Sequence, residues 1–217
     1  MLLPVKLTTN DCPVQDPLRN RVREIGSVTV QQVTGMSIVK DDLWSRLRSA
    51  RATMIDKVEG LSEYDLRRPM TPTGTNLLGL VKHLAGEEYG YLGEVFDRPA
   101  PVRPSWFRDD PSTEIDMWAT PDESSSYIVG VYRQATWHAD ETIRELDLES
   151  PGTVPHWGNN GRTTLASMLV LMVGETAQHA GHADIVRELI DGAVGAPNLS
   201  GGSVRLAEVQ AAADLFR

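Results

Sequence analysis

The sequence has a single cysteine, Cys12, among 217 residues. No intrachain disulfide can form, which fits a reducing cytoplasm. Cys12 sits in a polar, proline-containing leader and is not expected to be a catalytic thiol. Aromatic residues are scarce, at 6%. Basic charge is also in short supply: 21 Lys and Arg face 30 Asp and Glu, for a net charge of −9. Nucleic-acid-binding surfaces are normally basic, so that class is set aside. No apolar run approaches the ~18–20 residues needed to span a bilayer. The leader has no apolar core of a secretory signal. The expectation is a cytoplasmic globular protein with no nucleic-acid or membrane partner.

Several catalytic signatures are missing too. There is no Gly-x-Ser-x-Gly elbow for an acyl-transfer serine. There is no Cys-x-x-Cys pair for structural zinc or disulfide exchange. The zinc-protease pattern, two histidines four apart with a glutamate between them, is absent. No internal repeat and no phosphate-binding glycine loop occur.

What is present is helical patterning. Leu43, Leu47, Ala50, Met54 and Val58 repeat at steps of four and three, an amphipathic stripe over about Asp42 to Glu59. Gly60 is placed to end that helix. A second helix is expected from Asn76 to about Phe96, with Thr75 as its cap. A proline-rich linker of roughly 25 residues then carries Trp106, Phe107 and Trp118, which read first as loop packing. A third helix is expected over about Ser124 to Leu146, with Ile128, Val131, Ala135, His138 and Thr142 on one face. A turn-rich loop, Pro151 to Gly161, leads to a fourth, Leu165 to Asp191, capped by Thr163 or Thr164. His156 and Trp157 in that loop read equally as a pocket mouth or as solvated surface. A last amphipathic stretch, Val204 to Phe216, should dock on the bundle or on a second subunit. Residues 1–38 form an irregular extension broken by Pro4, Pro13 and Pro17, with Val28 to Val33 as a short strand or helical turn. This leader is either an accessory segment or the product of a start codon upstream of Met36. The expected organisation is an extension (1–38), a bundle domain (39–192), and a linker with a C-terminal helix (193–217).

The chemistry concentrates in Glu175-Thr176-Ala177-Gln178-His179-Ala180-Gly181-His182. Met168, Met172, Val186 and Ile190 mark an apolar stripe, and Glu175, His179 and His182 interrupt it at helical spacing. Burying a carboxylate and two imidazoles is costly unless they are paired or bind something. A metal ion is the economical explanation. Spacing alone permits either Glu175 with His179 or His179 with His182. A catalytic site usually has three protein ligands and one open position, so a further ligand is needed from elsewhere. His83, at the edge of the Leu77, Leu80, Val81, Leu84 stripe, is the best candidate. Read alone, it is a satisfied boundary histidine. His138 reads as a hydrogen-bonded histidine near the site.

The segments Thr71-Pro72-Thr73-Gly74-Thr75-Asn76-Leu77-Leu78-Gly79-Leu80-Val81-Lys82-His83-Leu84 and Glu175 to Ile185 resemble the DinB-like superfamily. More narrowly, they resemble its actinobacterial domain-of-unknown-function branch, related to mycothiol-dependent maleylpyruvate isomerase and bacillithiol S-transferases. The resemblance covers roughly residues 38 to 192. It implies an all-α fold: a four-helix bundle with a long crossover after the second helix. It also implies a divalent metal (zinc, nickel or iron) held by His83, Glu175 and His179. His182, His138 and Trp157 are then supporting candidates around the ligands. The expected activity is metal-dependent transfer or isomerisation with a low-molecular-weight thiol, mycothiol favoured, acting on a small electrophile. A homodimer is left open. Two other functions remain: a non-catalytic metal-binding or stress-linked bundle, and a metal-assisted hydrolase.

Overall fold

The computed structural model describes residues 38–107, 115–194 and 202–217. The expectations for Cys12, Val28 to Val33 and Met36 lie outside the described residues.

Four long helices and two short ones form the described chain: α1 (Ile38–Val58), α2 (Glu63–Arg67), α3 (Leu77–Tyr91), α4 (Ser125–Glu145), α5 (Leu165–Asp191) and α6 (Gly202–Asp214). The fold is all-α, with one small hairpin among the described residues. Local chemistry sets the helix ends. Ser62, Asn76, Ser124 and Thr164 each cap a helix by accepting a backbone N–H in the first turn, satisfying a donor that the helix itself cannot. The cap of α3 is thus Asn76, not Thr75: Asn76 Oδ1 accepts from Gly79 N at 2.8 Å. Gly60 and Gly192 end α1 and α5 at φ 77° for both, a left-handed conformation that glycine adopts without penalty.

α5 packs against both α1 and α3, and α3 packs against α4. The core is filled by Leu47, Met54, Leu77, Leu80, Leu84, Ile128, Ala135, Leu165, Met168 and Met172, among others, all buried. The inward face of α1 differs from the expected stripe. Leu43 and Ala50 are only half-buried, while Trp44 and Arg51 point inward. Arg51 explains the rotation. Its guanidinium makes a two-pronged contact with Glu88 at 2.6 Å for both bonds and reaches Asp140 at 2.6 Å. Trp44 Nε1 donates to the same Asp140 oxygen at 2.6 Å. One charged cluster therefore ties α1, α3 and α4 together. Burial works against the charged form of Arg51, but the Glu88 and Asp140 carboxylates outweigh it and raise its pKa above the ordinary arginine value.

The second helix stops at Tyr91, short of the expected Phe96, and a separate 3-10 turn covers Glu94–Phe96. The crossover from α3 to α4 includes another 3-10 turn, Ile115–Met117, and residues 108–114 lie outside the described residues. Trp106 is buried and Phe107 half-buried, as loop packing requires, whereas Trp118 is exposed. The loop before α5 was expected to be rich in turns. It is a hairpin, β1 (Pro151–Thr153) antiparallel to β2 (Arg162–Thr164), with a 3-10 stretch at Pro155–Asn160. β2 runs directly into the Thr164 cap of α5. The C-terminal helix was expected to dock on the bundle or on a second subunit; in the single chain Leu206, Val209, Leu215 and Phe216 are all exposed. Among the described residues, no helix is long and apolar enough to cross a membrane.

Candidate metal centre

The seam between α3 and α5 holds the polar cluster. Buried α5 residues include Met168, Met172, Thr176, His179, Ala183 and Val186. That face is rotated slightly from the expected stripe, so Glu175 and His182 fall at its margin. Glu175 is half-buried and His182 is exposed. The expectation that His182 lies on the inward stripe is therefore corrected. His182 still stands beside His179, with ring centroids 5.5 Å apart. On α3, His83 and Glu87 also lie at the margin of the buried face, half-buried. The cluster thus borders the core on one side and solvent on the other.

The structure brings His83, Glu175 and His179 together. One ligand-capable atom from each lies within 4.8 Å of the others. Glu175 Oε1 is 2.9 Å from His179 Nε2 and 3.6 Å from His83 Nε2. Ligand atoms ~2.0–2.2 Å from a tetrahedral ion stand ~3.3–3.6 Å apart. The spacing therefore suits a divalent ion with only small side-chain adjustments. The donor chemistry, two imidazoles and a carboxylate, suits zinc, nickel and iron alike.

A residue missed by sequence reasoning stands behind His83. Asp116, in the crossover, has Oδ2 2.7 Å from His83 Nδ1. With the imidazole neutral, Nδ1–H donates to that carboxylate and the Nε2 lone pair faces Glu175 and His179, as a metal-ligating histidine is usually arranged. Burial works against the charged form of His83. The bond to Asp116 and the charges of Glu87, Asp116 and Glu175 outweigh it and raise its pKa. The Asp116 pKa is lowered, first by the hydrogen bond with His83. His179 moves the other way: burial and then the nearby His83 lower its pKa, with Glu175 opposing. Its Nδ1 is buried with no hydrogen-bond partner in the structure.

Glu87 follows His83 by one helical turn. Burial, with Glu175 and Asp116 adding to it and His83 opposing, pushes its pKa up to about 7. Tyr91 follows by another turn. Burial, together with Glu87 and Glu175, pushes its phenol up to about 12. Tyr91 Oη is 3.3 Å from His156 Nε2, and its ring centroid is 6.1 Å from that of Trp157. The two residues of the hairpin loop are thus exposed but stand over Tyr91, forming a rim on the cluster. His138 does not join it. Its Nε2–H donates to the Arg98 carbonyl at 2.8 Å, and it is half-buried.

The partly protonated Glu87 has a measurable consequence. In metal-free protein, the folded state keeps a proton on Glu87 that the unfolded chain gives up near 4.5. Its contribution to stability therefore declines as pH rises from about 4.5 to about 7. Glu87→Gln should flatten that limb, read as Tm against pH in the presence of a chelator. An unchanged limb would place the titration elsewhere.

Residues 42–192 match the model of the mycothiol-S-transferase family. No curated protein matches the chain. A solved structure of a conserved protein from Enterococcus faecalis aligns with a TM-score of 0.54 at 13% identity, covering 73% of this chain and 100% of that one. That likeness concerns the fold alone. The family match spans the bundle, including His83, Glu175 and His179. The chain belongs to the mycothiol-S-transferase family, within the DinB-like superfamily.

Proposed function

We propose that this protein is a divalent-metal-dependent S-transferase that joins a low-molecular-weight thiol, mycothiol in the first instance, to a small electrophile. The observation that carries this reading is the convergence of His83 from α3 with Glu175 and His179 from α5, with Asp116 behind His83. His83, Glu175 and His179 would hold the ion, through Nε2, a carboxylate oxygen and Nε2. When bound, it would supply the positive charge that favours a thiolate at neutral pH.

The chain's own groups account for the rest. Asp116 fixes the tautomer and direction of His83. Glu87, one helical turn from His83, is placed to accept the proton that the thiol gives up. Tyr91, His156 and Trp157 form an aromatic rim on which a small organic electrophile can rest. The reaction forms a carbon–sulfur bond, and a leaving group departs with its electron pair.

The test is conjugate formation between mycothiol and a generic electrophile, followed by mass spectrometry, with protein that is metal-loaded or stripped. Conjugate formed only with loaded protein and mycothiol supports the proposal. Turnover of an ester or amide without thiol would assign a hydrolase instead. Metal retention with no turnover of either kind would assign a metal-binding bundle.

A further inference from the structure

Lys82, the residue before the candidate ligand His83, is fully buried. Its ammonium donates to the carbonyls of Ile115 and Trp118, both at 2.9 Å, and to Glu123 Oε2 at 2.8 Å. An ammonium has three donors, and these bonds use all of them. The Trp106 ring lies on another side, with its centroid 4.8 Å away. Every one of these partners belongs to the crossover.

Asn76, the cap of α3, and Gly79 within it hold the same segment. Asn76 Nδ2 donates to the Met117 carbonyl at 3.2 Å. Gly79 lets that carbonyl approach the helix: a Cβ there would stand 1.9 Å from the Met117 oxygen. The carbonyls of Ile115, Met117 and Trp118 are therefore all gripped by α3. The residue they flank is Asp116, whose carboxylate meets His83 on that same helix.

We propose that Lys82, with Gly79 beneath the turn, is a positioning residue for the metal centre: it seats the Ile115–Trp118 segment so that Asp116 orients His83. The proposal rests on the metal reading above. A lysine kept only for stability is a poor explanation, because a buried ion pair can usually be replaced by apolar side chains at little cost. A lysine kept only to neutralise Glu123 would not need the two carbonyls on either side of Asp116. One helical stretch thus supplies both the ligand and the anchor of the carboxylate that aims it.

The experiment compares Gly79→Ala, Lys82→Met, Asp116→Asn and the Lys82→Met/Asp116→Asn double variant with the parent protein. Zinc affinity is measured by chelator competition on protein shown by circular dichroism to be folded. The ring 15N shifts of His83 are read in metal-free protein, above the imidazole titration range. Gly79→Ala and Lys82→Met should each weaken zinc binding by about 10- to 100-fold, the usual loss for an orienting partner. The His83 proton should no longer be confined to Nδ1. The double variant should bind no more weakly than Asp116→Asn alone, since Lys82 acts through Asp116. Lowered Tm with unchanged zinc affinity and unchanged His83 shifts would overturn the proposal. If Lys82→Met does not fold, Gly79→Ala decides by the same readouts. If the parent binds no zinc, the metal reading fails, and the His83 shifts still decide whether Lys82 and Gly79 seat Asp116.

Discussion

Glu175→Ala should purify without metal, while His182→Ala should keep it. Glu175 Oε1 is within 3.6 Å of Nε2 on both His83 and His179, so its removal leaves two imidazoles on separate helices with no shared anion. Two neutral ligands do not offset the charge of a divalent ion, and water must complete the shell. His182 is exposed and meets the cluster at the His179 ring. Metal content by elemental analysis of the two purified variants checks this directly. Full occupancy in Glu175→Ala together with an empty site in His182→Ala would reassign the ligands to His83, His179 and His182.

Arg51→Met should cost about 3–5 kcal/mol of unfolding free energy, the usual penalty for breaking a buried ion pair from one side. Glu88 is fully buried and loses both of its guanidinium bonds. Asp140 keeps only the Trp44 indole. Tyr132, whose hydroxyl is buried without a partner, cannot compensate at its present position. Such a loss is a large part of the ~5–15 kcal/mol that holds a typical domain together. Denaturant titration of Arg51→Met against the parent gives the value. Adding Glu88→Gln should recover part of it, because the stranded charge is then removed. A loss below about 1 kcal/mol would mean that water reaches Glu88.

The helices were legible because their apolar residues repeat at helical spacing and because Gly60, Ser124, Thr164 and Gly192 carry end signals in the residue type itself. The cluster was legible only in part: Glu175, His179 and His182 are polar residues in an otherwise apolar register, but the choice of Glu175 over His182 and the pairing with His83 came from the family resemblance. Asp116 was not legible. It lies in a crossover without periodicity, and its tie to His83 spans 33 positions of sequence. Arg51, Glu88 and Lys82 were hidden by a different effect. A charged residue inside a helix normally marks the solvated side, and nothing local reveals that its partner is buried with it. On α1 the expected Leu47, Met54 and Val58 are buried, but Trp44 and Arg51 take the inward places expected of Leu43 and Ala50. The hairpin at Pro151–Thr164 was hidden because its strands are only three residues each, too short for alternation to register.

The placement of the triad on two helices has a consequence for chain entropy. His83 and Glu175 are about 90 residues apart, so an ion shared between them would act as a clip across a long loop. In the unfolded chain, drawing those ends together is opposed by the entropy of everything between them. The packing of α3 on α5 has already settled that cost before an ion arrives. Metal binding would therefore favour the folded state almost without competition from the unfolded one. At free metal about 100-fold above Kd, the ion would add about 2.7 kcal/mol to stability. Metal supply would then raise the unfolding temperature of the chain, independently of any turnover at the site.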